Sequence, residues 1–275
     1  MEKDKEFTFT RQDFDRVRLL IHQRAGISLA DGKQEMVYSR LARRLRATNA
    51  TTFSDYLISL EHAATNPEWE AFTNALTTNL TSFFREEHHF PVLAAHARDR
   101  RAVSVWCTAS SSGEEPYSIA MTLCEVFGSL APPVQILATD IDTTMLATAE
   151  QGVYPAERLA RMTPERVRRF FQKGTGAQDG LVRVRPELRK LIHFRPLNLC
   201  APAWQVAGPF DAIFCRNIMI YFDKPTQRAI LSRLVPLMQP DALLFAGHSE
   251  NFLYVSDALR LRGKTVYERA KRSMP

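Results

Sequence analysis

The chain has 275 residues, a length typical of about two domains. Hydrophobic residues make up 45% of the sequence and charged residues 24%, and both fractions are ordinary for a globular protein. Disordered, collagen-like and mucin-like chains are therefore excluded. The formal net charge is +6, from 36 basic and 30 acidic residues, so acidic proteins and nucleic acids both stay open as partners.

The sequence has no pattern for export or for membrane insertion. The longest apolar runs, such as residues 242–247, are much shorter than the ~20 residues that cross a bilayer. The charged residues 1–6 have no apolar signal segment behind them. The cysteines form no CxxC pair, which is typical of reduced thiols in a reducing compartment. They are Cys107, Cys124, Cys200 and Cys215. We expect a cytoplasmic protein with no direct membrane insertion.

The first hundred residues have helical periodicity and no strand pattern. Thr10 is a suitable cap for a helix over residues 11–24, and Gly26 is a suitable stop. Further helices are predicted over residues 33–47, from Thr52 or Ser54 to residue 60, and over residues 67–76. This pattern predicts a small all-helical module.

The helix over residues 33–47 is amphipathic. Its apolar stripe consists of Tyr38, Leu41, Ala42 and Leu45. Much of its other side is cationic, with Lys33, Arg40, Arg43 and Arg44. These cations face away from the stripe, so we expect them to be available to an acidic partner. The alternative is a merely solvated face.

From residue 102 onward, strand patterns alternate with helical patterns. Strands are predicted over residues 102–107, 134–139, 192–197, 210–215, 242–247 and 264–269. Helices are predicted over residues 116–127 and 225–238. This alternation predicts a parallel α/β sheet covered on both faces.

The alternation is interrupted between Tyr154 and Lys190. Glycines at 174, 176 and 180 precede an alternating run over residues 181–185, which predicts an inserted hairpin. Leu181, Arg183 and Arg185 share one face of this run, while Val182 and Val184 would anchor it. An exposed edge strand of this kind can accept an extended peptide, or it can simply seal the sheet edge.

The carboxyl ends of parallel strands are where ligands bind in such sheets. Residues 108–113 form a loop of small side chains after the first predicted strand, but they do not match GxGxxG. Glu114 and Glu115 follow, and their charge repels phosphate but suits a cation, so S-adenosylmethionine fits better than a dinucleotide. Asp140 ends the second predicted strand and is placed to bind ribose hydroxyls. The alternative for the two glutamates is a favourable interaction with the helix dipole.

Five motifs in order resemble the chemotaxis receptor methyltransferases of the CheR type. They are the motifs at residues 81–86 (TSFFRE), 113–118 (GEEPYS), 138–142 (ATDID), 214–223 (FCRN through YFD) and 247–250 (GHSE). The resemblance runs from about residue 7 to residue 270. It implies a Rossmann-like S-adenosylmethionine-dependent methyltransferase sheet with an all-helical N-terminal domain and an inserted β-subdomain. The corresponding domain bounds are residues 1–87 and 88–275, with the insert at about 160–192.

The resemblance also implies residue roles. Asn79, Thr81 and Arg85 would contact S-adenosylmethionine from the linker, Glu115 would hold its amino-acid end, and Asp140 its ribose. Asn198, Leu199, Arg216 and Asn217 would line its adenine and methionine sides. The substrate would be a glutamate carboxylate on the cytoplasmic helices of methyl-accepting chemotaxis receptors, and the product S-adenosyl-L-homocysteine. Arg85 and Tyr221 are the candidates for orienting that carboxylate, although Arg85 could serve the cofactor instead and Tyr221 could be a structural aromatic. A carboxylate with a pKa of ~4.3 is already ionised at neutral pH and needs no general base.

Receptor docking is expected on Lys33, Arg40, Arg43 and Arg44. The resemblance implies that a receptor's C-terminal pentapeptide binds to the insert, where Arg183 and Arg185 could meet an acidic residue of the peptide. We expect a monomer that binds neither nucleic acid nor metal. Adjacent residues such as His88 and His89 should point apart on a helix, and no third ligand follows at a useful spacing. A nucleic-acid methyltransferase of the same fold and a non-catalytic receptor adaptor are the alternative functions. The chain lacks the Asn/Asp-Pro-Pro-Tyr motif of amine methyltransferases and any RNA-binding module.

Overall fold

The structure is a computed structural model that describes residues 5–62 and 64–270. Most of the charged segment at residues 1–6 therefore lies outside the described residues. The chain forms two compact units. One comprises the chain up to Thr78 with Tyr221–Thr226, and the other comprises Asn79–Ile220 with the chain from Gln227 onward. The sequence predicts the domain boundary between residues 87 and 88 instead, and that boundary stays a prediction.

The N-terminal unit is built from helices. They are α1 (Arg11–Ala25), α2 (Gln34–Thr48), α3 (Phe53–Glu61) and α4 (Glu68–Leu76), with a 3₁₀ turn at Asp31–Lys33. Thr10 and Asp13 form a reciprocal capping box at the start of α1, and Gly26 ends it at φ 70°. The four predicted helices of this unit are confirmed to within a few residues.

The second unit contains the remaining helices and the strands. The helices are α5 (His89–Ala97), α6 (Glu114–Val126), α7 (Thr143–Gln151), α8 (Pro164–Phe170) and α9 (Pro186–Arg189), and α10 (Lys224–Leu234) spans both units. The strands are β1 (Val103–Cys107), β2 (Val134–Asp140), β3 (Val153–Pro155), β4 (Phe171–Lys173), β5 (Leu181–Val184), β6 (Ile192–Pro196), β7 (Phe210–Cys215), β8 (Met238–Ala246), β9 (Leu259–Gly263) and β10 (Val266–Arg269).

The main sheet has the order β6-β2-β1-β7-β8-β10-β9. The strands from β6 to β8 are parallel, and Cys107 on β1 lies opposite Ala138 on β2 and Phe214 on β7. Strands β10 and β9 are antiparallel. The predicted parallel α/β sheet is thus confirmed, with two differences at its edge. Strand β9 was not predicted, although leucine and arginine alternate in it, because the run is short and only its Leu259 is buried. Lys264 and Thr265 form the turn before β10 rather than its start.

The insert is a separate three-stranded antiparallel sheet in the order β3-β5-β4. Val182 and Val184 are buried, and Arg183 is exposed, as the alternation predicts. The prediction that residues 181–185 form an exposed edge strand is wrong, because β3 and β4 pair with both sides of β5. Each of these flanking strands spans only three residues, so neither has enough alternation to be recognised from sequence.

The chain order places the switch point of the main sheet beside β1. From β1 the chain runs outward through β2 to β6 on one side, and it returns to β7 and β8 on the other. The loops that follow β1 and β7 therefore diverge and leave a crevice at the carboxyl edge of the sheet. Val105 on β1 and Phe214 on β7 are buried in the hydrophobic core of this sheet.

Candidate active site

The loop after β1 is held in a tight conformation against the end of β2. Ser111 has φ 47°, and its backbone N–H donates to Asp140 Oδ2 at 2.7 Å. Gly113 has φ 98°, and a Cβ there would lie 2.8 Å from the Ala149 Cβ and from the Tyr154 hydroxyl. Only glycine allows this approach, because it lacks the Cβ that would collide. The loop therefore brings the start of α6 close to the carboxyl edge of the sheet.

Asp140 is a buried carboxylate at the end of β2. Its side chain accepts from the Ser111 N–H and also from the Asp142 N–H at 2.9 Å. Burial raises the pKa of Asp140 to about 6, although the backbone hydrogen bonds oppose the rise. At neutral pH the group is therefore mainly ionised and can accept hydrogen bonds from a ligand.

Arg216 follows β7 and is the central cation of the site. It is 4% exposed. One guanidinium nitrogen donates to Glu115 Oε2 and another to the backbone carbonyl of Arg85, and the Glu86 carboxylate lies 3.4 Å away. Glu115 also accepts from the Cys107 thiol at 3.2 Å. The sequence predicted Glu115 and Arg216 separately, and the structure pairs them.

Glu86 links this cation to the other loops. Its Oε1 accepts from the Asn217 side-chain amide at 3.1 Å, and a ring nitrogen of His248 lies 3.2 Å from it. Burial opposes ionisation, but the hydrogen bond from Asn217, the positive charge of Arg216 and the contact with His248 lower the pKa of Glu86 to about 2. Glu86 is therefore a permanent anion in the site, and the sequence did not single it out.

The other residues predicted to contact the cofactor also lie in the second unit, where they form hydrogen bonds of their own. Asn79 donates to Asp142 at 2.8 Å, the Thr81 carbonyl accepts from Arg158 at 3.4 Å, and Arg85 donates to the Leu80 carbonyl at 2.7 Å. Beyond β6, Asn198 caps the next turn by accepting from the Cys200 N–H at 2.8 Å, and Leu199 is buried. A cavity of about 270 Å³ lies beside Asn198, lined also by Thr139, Leu197 and Trp204.

Comparison with known proteins decides the family. Residues 79–267 match the CheR methyltransferase, SAM binding domain, and residues 12–77 match the CheR methyltransferase, all-alpha domain. The chain belongs to the CheR methyltransferase family.

The most similar relatives include three named chemotaxis protein methyltransferases. The protein from Klebsiella aerogenes is 59% identical over 92% of this chain and 88% of its own length. The protein from Escherichia coli K12 is 56% identical over 94% of this chain and 91% of its own. Chemotaxis protein methyltransferase 2 from Pseudomonas aeruginosa is 52% identical over 97% and 96%. The chain is thus an S-adenosylmethionine-dependent methyltransferase of chemotaxis, in the class whose reaction is the O-methylation of glutamate.

The residues of this CheR-family site fit S-adenosylmethionine. The buried polar atoms that have no hydrogen-bond partner within the described residues include Thr108 Oγ1, Ser110 Oγ and Arg216 Nε. They lie in the loops that follow β1 and β7, alongside the carboxylates of Glu115 and Asp140. A ligand with an ammonium, a carboxylate and ribose hydroxyls supplies the complementary donors and acceptors. The prediction of this cofactor from Glu114, Glu115 and Asp140 is confirmed by the family.

Several predicted site residues lie in the N-terminal unit. Tyr221 belongs to the N-terminal unit, where its carbonyl accepts from the Ser28 N–H at 2.8 Å. Arg44 is bidentate to Glu68 at 2.8 and 2.7 Å, and Arg40 donates to backbone carbonyls of the residues 75–77 segment. The expectation that the cations of α2 all face outward is therefore wrong for these two arginines. Lys33 and Arg43 are exposed, as expected.

The two histidines do not point apart. Their rings lie 4.2 Å from each other, and Glu86, His88 and His89 place potential ligand atoms within 4.8 Å of one another. The sequence argument missed this third residue, because a turn rather than a helix precedes His89. However, Arg216 already supplies a positive charge 3.4 Å from Glu86. This arrangement is electrostatically poor for a second cation.

Among the described residues, no helix is long and apolar enough to cross a membrane. The four cysteines form no disulfide in the part of the chain that the structure describes, and burial raises the pKa of Cys124 to about 11. Burial likewise raises the pKa of Cys107 and Cys215. These thiols are packing groups rather than nucleophiles.

Proposed function

We propose that this CheR-family enzyme transfers the methyl group of S-adenosylmethionine to glutamate side chains on the cytoplasmic helices of methyl-accepting chemotaxis receptors. The observation that carries the proposal is the cluster of Asp140, Glu115 and Arg216 at the switch point of the sheet. This is where α/β folds bind their ligands. The relatives named chemotaxis protein methyltransferases support the substrate class.

The cofactor is expected to lie along the carboxyl edge of the main sheet. Asp140 would accept from its ribose, and Glu115 with Arg216 would bind its amino-acid end. The remaining contacts are assigned to Asn79, Thr81, Arg85, Asn198, Leu199 and Asn217. The cofactor supplies an activated methyl group on a sulfonium. Because Glu115 is already paired with Arg216, it can bind the ammonium without becoming an isolated buried charge.

The protein's part in the transfer is positioning. An ionised glutamate needs no proton removal, so the reaction depends on in-line placement of its carboxylate and on exclusion of water. Arg85 and Tyr221 are the residues that we assign to orient the carboxylate. Charge is neutralised as carboxylate and sulfonium combine, so a very tight hold on the carboxylate would stabilise the ground state and slow the reaction.

Receptor docking is assigned to the exposed side of α2 and to the insert. Lys33 and Arg43 are the exposed cations of the N-terminal set, whereas Arg40 and Arg44 act within the unit. In the insert, Arg183 is exposed on the central strand. A receptor's C-terminal pentapeptide would add to one of the edges of this small sheet, β3 or β4, with Arg183 and Arg185 near it. We also propose a cytoplasmic, monomeric enzyme that needs no nucleic acid.

The decisive experiment uses the full chain with receptor-containing membranes and S-adenosylmethionine labelled in its methyl group. We expect label on the receptor that is released by mild alkali, because carboxyl methyl esters hydrolyse and N-methyl groups do not. Alkali-stable label, or label on nucleic acid only, would favour a nucleic-acid methyltransferase. Receptor binding without any label would favour a non-catalytic adaptor.

A further inference from the structure

We propose that Glu250, which follows β8, is a positioning residue for the cofactor site. It acts by fixing the loop that carries Arg216 and Asn217. The inference rests on the proposed function, since it assigns to these two residues the binding of S-adenosylmethionine. Glu250 itself is remote from solvent, at 5% exposure, and the geometry gives it a task on the backbone rather than on a ligand.

The Glu250 carboxylate collects backbone N–H groups from two different loops. Its Oε2 accepts from Asn217 at 2.9 Å and from Gly247 at 2.6 Å, and its Oε1 accepts from Met219 at 2.7 Å. Asn217 and Met219 follow β7, whereas Gly247 follows β8. One carboxyl side chain therefore joins the ends of two neighbouring parallel strands. Hydrogen bonds from N–H groups to a carboxylate are stronger than those between neutral partners.

The conformation of Asn217 explains why such a tie is needed. Its φ is 58°, in the left-handed region that a non-glycine residue seldom occupies without support. In this conformation its N–H points to Glu250 while its side-chain amide donates to Glu86 at 3.1 Å. Glu86 in turn lies 3.4 Å from the guanidinium of Arg216. If Glu250 releases the Asn217 N–H, Asn217 loses the support of this conformation, and the backbone that carries Arg216 loses one of its anchors.

Gly247 shows that the two loops approach as closely as their backbones allow. A Cβ at this position would lie 2.3 Å from the Asn217 side-chain nitrogen, 2.9 Å from the Asn217 backbone nitrogen and 2.9 Å from Glu250 Oε2. Any side chain here would therefore separate the groups that Glu250 joins. Gly247 permits the close approach of the two loops, and Glu250 maintains it through its hydrogen bonds to both.

The test compares the affinity of S-adenosylhomocysteine for the full chain and for Glu250→Gln. Glutamine keeps the size of the side chain but places an N–H₂ donor against a backbone N–H. By calorimetry, we expect the dissociation constant to rise by about tenfold or more, as loss of a charge-assisted hydrogen bond requires. The KM for the receptor should stay near its wild-type value, because α2 and the insert are untouched.

The matched control is Asp211→Asn. Asp211 is also a buried carboxylate of the same sheet and also accepts a backbone N–H, from Ser104 at 2.8 Å, but it lies at the amino end of β7. It should lower the melting temperature and leave the affinity for S-adenosylhomocysteine unchanged. Equal affinity losses in both variants, measured below their melting temperatures, would mean that Glu250 acts on stability alone and would overturn the inference.

Gly247→Ala provides a second approach if Glu250→Gln does not fold. Its methyl group should displace Asn217 and raise the dissociation constant, whereas wild-type affinity in this variant would overturn the inference. The wild-type chain separates this inference from the proposed function. Binding by the wild type with no loss in either variant refutes only the role of Glu250. Failure of the wild type to bind S-adenosylhomocysteine refutes the proposed cofactor site as a whole.

Discussion

Arg216 and Glu115 form a buried ion pair across the switch point, although they are separated by about a hundred positions in the sequence. Glu115 lies in the first turn of α6 and Arg216 directly after β7. The parallel pairing of β1 with β7 brings them together. The guanidinium of Arg216 also faces Glu86, so one buried cation neighbours two carboxylates of the site.

The first prediction concerns this pair. Replacing Arg216 by Ala leaves Glu115 without its cation, and loss of one partner from a buried pair costs about 3–5 kcal/mol. Urea unfolding should show a free-energy loss of that order, and calorimetry should show no measurable binding of S-adenosylhomocysteine. Arg260→Ala is the control, because the Arg260–Glu268 pair is mostly exposed at its arginine. Exposed pairs contribute about 0–1 kcal/mol. Equal losses in the two variants would contradict the central role of Arg216.

The second prediction is that Asp140→Asn weakens cofactor binding without unfolding the chain. Asparagine keeps an acceptor for the Ser111 N–H but loses the charge that strengthens a hydrogen bond from ribose. The expected loss in binding free energy is about 1.5–3 kcal/mol, measured by calorimetry below the melting temperature of the variant. Asp179→Asn, an exposed position in the insert, should bind as the wild type does. Unchanged affinity in Asp140→Asn would remove Asp140 from the cofactor site.

The third prediction is a pH dependence that arises from Asp140. Burial raises the pKa of this carboxyl to about 6. As pH falls, Asp140 is therefore protonated at a higher pH in the folded chain than in the unfolded chain. If only the ionised form binds ribose well, affinity should be constant above pH 7 and fall about tenfold per pH unit below pH 6. The stability of the fold changes in the opposite direction. Ionisation of the buried carboxyl lowers the free energy of unfolding as pH rises from about 4 to 6, and this free energy stays lower above that range.

The pH profile should be flat in Asp140→Asn if Asp140 causes it. Glu86 cannot cause it, since its pKa of about 2 keeps it ionised throughout. Binding of S-adenosylhomocysteine measured between pH 5 and pH 8 provides the check. A wild-type profile that persists in the variant would assign the titration to another group.

The fourth prediction separates docking cations from structural ones on α2. Lys33→Glu combined with Arg43→Glu should raise the KM for the receptor and leave cofactor binding unchanged, because both side chains are exposed. Arg44→Ala should instead lower stability, since it removes the bidentate contact with Glu68. Methylation by the wild type should fall as salt rises, because exposed charges are screened beyond ~8 Å at physiological ionic strength. Normal receptor kinetics in the double variant would exclude docking through these two residues.

Features of the fold that depend on neighbouring residues could be predicted from the sequence, whereas contacts between distant side chains could not. Thr10 and Gly26 define α1 through contacts with their immediate neighbours, and Asp140 was found because strand ends in an α/β sheet meet at one edge. The inward turn of Arg44 depends on Glu68, in another helix. No periodicity in α2 contains that information. Glu250 illustrates the same limit, because two of its partners are the backbone N–H groups of Asn217 and Met219, distant residues whose side chains give no signal of the contact.

The fifth prediction concerns the insert and its peptide. Strand β5 is central, so a receptor's C-terminal pentapeptide must bind at β3 or β4 if it adds as a strand. At the outer edge of β4, Gln172 and Lys173 are exposed, and Arg183 on β5 projects from the same small sheet. Binding there would hold methylation sites at an effective concentration of about millimolar order.

Titration of the chain with the pentapeptide should therefore show binding, and removal of the receptor tail should reduce methylation. Lys173→Pro is expected to abolish binding, because the backbone N–H of Lys173 lies on the side of β4 away from β5 and proline removes it, while Arg183→Glu should weaken it for an acidic peptide. Asp179→Asn, in the loop before β5, is the control and should bind normally. If the peptide does not bind and tail removal leaves methylation unchanged, the insert only covers the sheet beneath it, and the receptor is recognised through its helices alone.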